Sequence, residues 1–145
     1  MWTMFLKELT NEYEFSPSVS LEQLESAETK LGHTLPQHLK AFYLETNGLY
    51  YRENFLDVVW TLEKLVDENL EFRQNLDFKS LYMPFDHLLF FGEFGNGDLF
   101  AFAILGDGST RHIYTWNHDD DSRQWAAESL QTFFEWLEAG KIESF

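Results

Sequence analysis

Between residues 88 and 117 the chain repeats one pattern three times: an apolar stretch, over 88–93, 98–105 and 111–117, set off by turns rich in glycine. Stretches this short, bounded by turn residues, read as strands and not as helices. Tight turns between consecutive strands allow only antiparallel pairing, so the segment predicts a three-stranded antiparallel meander. An open sheet this apolar needs cover on at least one face, and the rest of the chain has to supply it.

Helical stripes on both sides of the meander answer that need. Trp2, Phe5, Leu6 and Leu9 recur at spacings of three and four, which predicts an N-terminal helix within residues 1–15. Ser16-Pro17-Ser18 breaks the chain, and Ser20 with Gln23 three residues on reads as a capping box. Leu21, Leu24, Ala27 and Leu31 share the inner face of that second helix, Glu22, Glu25 and Glu28 its solvated side, and Gly32 suits its end. Pro36 opens a third helix carrying Leu39, Phe42 and Tyr43, stopped by Asn47-Gly48, so the second and third helices form a hairpin. Residues 50–60 mix aromatic and β-branched side chains and read as one or two strands ending in Val58-Val59-Trp60. Thr61 caps a helix on which Leu62, Leu65, Val66, Asn69, Leu70 and Arg73 align, and Pro84 closes the connection after it. Ser129 caps a last helix in which Leu130, Phe133, Phe134 and Leu137 make the stripe that covers the sheet, ending at Gly140. The order of elements defines an α+β fold in a single domain over residues 1–145, a meander packed against N-terminal helices and a closing C-terminal helix.

Charge removes whole classes of partner. Twenty-five Asp and Glu against ten Lys and Arg give a net charge of −15, a field that repels nucleic acid and anionic headgroups and attracts basic proteins. Solubility alone would also account for it. With no cysteine there is no disulfide or thiolate site, and residues 1–9 lack the basic leader and unbroken apolar run of a signal peptide. No run approaches a membrane span, and the expected compartment is the cytoplasm.

The motifs offer little chemistry. Gly92-Glu93-Phe94-Gly95-Asn96-Gly97-Asp98 is glycine-rich, but a strand and not a helix follows it, and Glu93 and Asp98 would repel a phosphate. It reads as a hairpin turn. His118-Asp119-Asp120-Asp121 carries oxygen and imidazole donors without the order of a calcium loop, and the histidines at 33, 38, 87, 112 and 118 include no zinc-protease pair. Ser109 lies in a turn without a nucleophile elbow. No cofactor is expected.

Taken in order, these landmarks resemble the SUKH superfamily, which joins yeast cell-wall regulators of the Smi/Knr type to many bacterial immunity proteins. The resemblance rests on the Glu-rich helix from Leu21 to Leu31, Leu35-Pro36, Asn47-Gly48, Phe90-Phe91-Gly92, Gly95-Asn96-Gly97-Asp98, Trp116, His118-Asp119, Ser129-Leu130 and Phe133-Phe134. It runs from about Ser18 to Lys141, and the helix before Ser16 reads as a local addition. It implies an α+β domain used for protein binding, in bacteria commonly to neutralise a cognate toxin, often a nuclease.

Occluding a toxin needs no catalytic residue, which agrees with the chemistry the motifs lack. The expected function is therefore a non-catalytic immunity protein that binds a basic protein toxin. The candidate contacts are the loop acids Glu93, Asp98, Asp107, Asp119, Asp120 and Asp121, with Tyr50, Tyr51 and Trp116 as anchors. The alternatives are a regulatory scaffold of the cell-wall type and, more remotely, a metal-assisted hydrolase using the acidic loops. Exposed aromatic area suits a homodimer as well as a hetero-complex.

Overall fold

The computed structural model describes residues 1–104 and 111–142. The first part of the chain mixes helices with short strands: α1 (Trp2–Leu9), β1 (Tyr13–Phe15), α2 (Leu21–Leu31), α3 (Gln37–Tyr43), β2 (Leu49–Tyr51), β3 (Asp57–Val59), α4 (Leu62–Gln74) and α5 (Leu76–Leu81). Then come β4 (Leu88–Glu93), β5 (Leu99–Ala103), β6 (Ile113–Trp116), β7 (Arg123–Ala127) and α6 (Leu130–Glu138). Two antiparallel sheets result, β1-β2-β3 and β4-β5-β6-β7.

The helix boundaries follow the capping chemistry. Ser20 and Gln23 form the reciprocal capping box of α2, and Gly32 ends it at φ 82°. Thr61 accepts from the Lys64 N–H and Ser129 from the Thr132 N–H at the starts of α4 and α6. Leu24, Ala27 and Leu31 face inward as their spacing requires, but Leu21 is exposed.

Three elements differ from the sequence expectation. Within residues 1–15, α1 spans Trp2–Leu9 as its stripe predicts, but a strand follows it: β1 pairs antiparallel with β2, Tyr13 opposite Tyr51. The meander gains a fourth strand, β7, paired with β6. The connection before Pro84 holds the short α5, capped by Asn75.

Both faces of the second sheet are covered at β4, which is why that strand is apolar without alternation: Leu88, Leu89, Phe90, Phe91 and Gly92 are all buried. On one face Phe133 of α6 lies edge-on to Phe91 and Phe100, with centroids 5.5 and 4.7 Å apart. On the other, Phe72 of α4 meets Phe90, Phe85 and Trp116 within 5.6 Å. Buried Asn69 serves as a substitute strand there, accepting from the Phe90 N–H and donating to the Phe90 carbonyl, each at 2.8 Å.

The two sheets meet where β3 passes β4. A bulge leaves Phe91 out of the β4–β5 register, and the Phe91 carbonyl accepts from the Trp60 N–H at 2.7 Å. Glycine at 92 permits the approach, since a Cβ there would lie 1.8 Å from the Val58 carbonyl oxygen.

Candidate functional site

The antiparallel order brings three hairpin tips to one end of the molecule: residues 52–56 between β2 and β3, 94–98 between β4 and β5, and 117–122 between β6 and β7. Neighbouring tips touch. A Cβ at Gly95 would lie 2.9 Å from the Leu56 side chain, and one at Gly97 would lie 2.8 Å from the His118 ring. At φ 96° and 98° both positions also favour glycine for their backbone.

The third tip is built around two carboxylates with opposite tasks. Asp98 is 2% exposed, and its Oδ1 lies 2.8 Å from His118 Nδ1 and accepts from the His118 N–H. His118 Nε2 faces Asp119 at 3.3 Å, so both ring nitrogens address carboxylates. The hydrogen bond to Asp98 raises the His118 pKa above its ordinary value, more than exposure to solvent lets desolvation lower it, and Asp119 adds to the rise. Asp121, at φ 62°, turns inward to accept from Trp116 Nε1 at 2.7 Å, the Met83 N–H at 2.8 Å and Arg123 at 2.9 Å. Burial would raise its carboxyl, but these donors outweigh burial and hold it below the usual carboxylate range. Arg123 also donates to the carbonyls of Met83 and Pro84, and the Tyr82 hydroxyl donates to the His118 carbonyl, tying the tip to the segment after α5.

These placements sort the candidate residues. Asp119 and Asp120 are exposed at the tip, and hydrogen bonds from the Ser122 hydroxyl and N–H keep the Asp120 pKa low. Glu93 is half-buried beneath the second tip, accepting from Trp60 Nε1 at 2.7 Å and facing Lys64 Nζ at 3.5 Å. Asp57, at the end of the first tip, has a pKa raised chiefly by burial, with Glu93 adding to it against Lys64. Of the candidate contacts, Asp98, Asp121 and Trp116 are engaged within the fold. The two aspartates are tied up inside the fold, and Trp116 is 3% exposed within the Phe72, Phe85 and Phe90 cluster.

Tyr50 and Tyr51 part company because successive strand residues point to opposite faces. Tyr50 reaches the first tip and stacks on Phe55 at 6.1 Å, while Tyr51 stacks on Tyr13 at 5.2 Å and both of those hydroxyls donate to Glu138 Oε2. Burial, then the bond to Glu138, pushes both phenols well above the ordinary tyrosine range. Asp107 and Ser109 lie outside the described residues. The family-pattern positions Gly92, Gly97, Asp98, Trp116 and His118 converge at this end, whereas Leu35, Pro36, Asn47 and Gly48 lie at the helix hairpin and its exit. Asn47 links that exit to α4 through its Oδ1, which accepts from the Leu62 N–H at 2.8 Å. Sequence reasoning missed Phe55 and Glu53, whose only signal was the Asn54 turn beside them.

Two antiparallel sheets, helices on both faces and a turn built on a buried aspartate, a histidine and a glycine define an α+β domain with its polar loops gathered at one end. The family model described as SMI1-KNR4 cell-wall, SUKH_6, matches residues 21–134. The chain belongs to this SUKH family. The match starts at Leu21, so α1 and β1 lie outside it, although Trp2, Leu6 and Tyr13 are part of the core. No individual curated protein matches the chain. Among the described residues no helix is long and apolar enough to cross a membrane.

Proposed function

We propose that this chain is a non-catalytic immunity protein, which binds a basic protein toxin through the hairpin-tip end and covers the toxin's cationic active-site surface. Membership of the SUKH family supports a binding role. The observation that carries the reading is the alignment of three tips with Glu53, Asp119 and Asp120 exposed along them. Such an edge, on a chain of net charge −15, steers a cationic partner toward one orientation. His118 fits a structural task better than that of a general base, because both its nitrogens are directed at carboxylates. A protein that meets a delivered toxin in this way would act in the cytoplasm.

The test is to mix the purified chain with the products of the genes adjacent to its own and to follow toxic activity. Stoichiometric capture with loss of activity supports neutralisation; a toxic neighbour left fully active by an excess of the chain contradicts it. The matching description, which names a cell-wall family, favours a second reading as a regulatory scaffold. That reading takes over if an unlinked cell-wall protein binds and the neighbouring products do not.

A further inference from the structure

Phe55 is 74% exposed on the first hairpin tip, yet its backbone sits at φ 59°. Asn and Asp, and above all Gly, visit this left-handed region readily, and bulky side chains do so at a cost. The bonds that make the turn need no phenyl ring. Phe55 donates its N–H to the Tyr51 carbonyl, Tyr51 donates to the Leu56 carbonyl, and Leu56 donates to Asn54 Oδ1. Glycine or asparagine at this position would make the same bonds without the strain. The ring gains little from the core in return: it is mostly exposed and stacks on the Tyr50 ring at 6.1 Å and 22°. Exposure alone would be ordinary for one apolar side chain; what sets Phe55 apart is exposure combined with a backbone conformation that suits a bulky residue poorly.

Resting on the protein-binding reading above, we infer that Phe55, backed by Tyr50, is the aromatic anchor of the hairpin-tip surface and enters an apolar recess rimmed by Arg or Lys side chains of a partner protein. Charge selects this occupant. Glu53 stands two residues before the ring and Asp57 two after it, with Glu93 behind, while the nearby cations are directed to carboxylates, Arg52 to Glu14 at 2.5 Å and Lys64 to Glu93 at 3.5 Å. Cationic side chains around the recess would meet these carboxylates and the ring face turned away from Tyr50. A second copy of the chain, also at −15, and an anionic membrane surface would be repelled.

The full chain and its Phe55→Asn variant are titrated with a synthetic peptide of alternating Arg and Leu, followed by amide chemical shifts, and the melting temperature of each is measured. The peptide is expected to perturb Tyr50, Glu53 and Phe55 first. The variant is expected to melt no lower than the parent and to bind roughly tenfold more weakly, as for a truncated interface anchor. Equal binding by the variant, perturbations centred elsewhere such as on the Glu22 and Glu25 face of α2, no perturbation at all, or a marked loss of stability would each overturn the inference. Neutralisation is judged separately on the adjacent gene product. A toxin that stays active removes the immunity reading, while the peptide footprint still decides the role of Phe55.

Discussion

His118 and Asp98 show how one buried carboxylate organises a whole turn. The His118 pKa is raised in the folded state, so its contribution to stability is complete below the ordinary value of 6.5 and is lost as pH rises through the higher folded value. A nuclear magnetic resonance titration should place its midpoint above 6.5, and Asp98→Asn should bring it down; an unmoved midpoint would remove Asp98 as the cause. Glu45 plays a comparable part at the start of α1, where it accepts from the Trp2 and Thr3 N–H groups at 2.9 and 3.1 Å. Burial would raise this carboxyl, but those bonds, with the α-amino group and the Thr3 hydroxyl, outweigh it and hold the pKa at about 2. The stabilisation is therefore present above 4.5 and lost as pH falls toward about 2. Replacing Glu45 with Ala should cost about 1 kcal/mol near neutral pH, as for loss of a helix cap, measured by urea denaturation. Neither arrangement was legible in the sequence. Asp98, Asp119, Asp120 and Asp121 are the same letter in similar loops, and what separates them is the set of donors that folding gathers around each.

Elements were legible in proportion to their local signals. The capped helices α2, α4 and α6 and the three apolar strands of the meander carried both periodicity and end chemistry in the sequence. β1 did not, because three residues are too few to show a period of two, and its identity depends on pairing with β2. β7 reads Arg-Gln-Trp-Ala-Ala, which lacks β-branched residues and becomes a strand through the β6 edge beside it. α5, at six residues, owes its existence to the Asn75 cap and to Phe78 packing on Phe72. The contact between β3 and β4 was equally hidden, although Gly92 marked its place. Gly92→Ala should cost at least the ~3 kcal/mol of severe overpacking, because the obstructing atom is backbone. A soluble variant with the parent's melting curve would contradict that close approach.

The whole molecule joins a core covered on both sheet faces to one end where turns, acids and an exposed aromatic collect. Its fold class followed from the order of elements, while the grouping of the tips required the long-range register of seven strands. If that end is the docking surface, converting Asp119 and Asp120 to Asn, which keeps an oxygen acceptor for His118 and Ser122, should slow association with a cationic partner and weaken its dependence on salt, with little change in melting temperature. Stopped-flow measurements at low and high ionic strength would show it, and an unchanged rate would move the interface elsewhere. The decisive measurement titrates this chain into the purified products of the adjacent genes while their toxic activity is followed. Activity should fall in proportion to added chain and vanish near one equivalent; undiminished activity in the presence of a large excess would contradict neutralisation by direct binding.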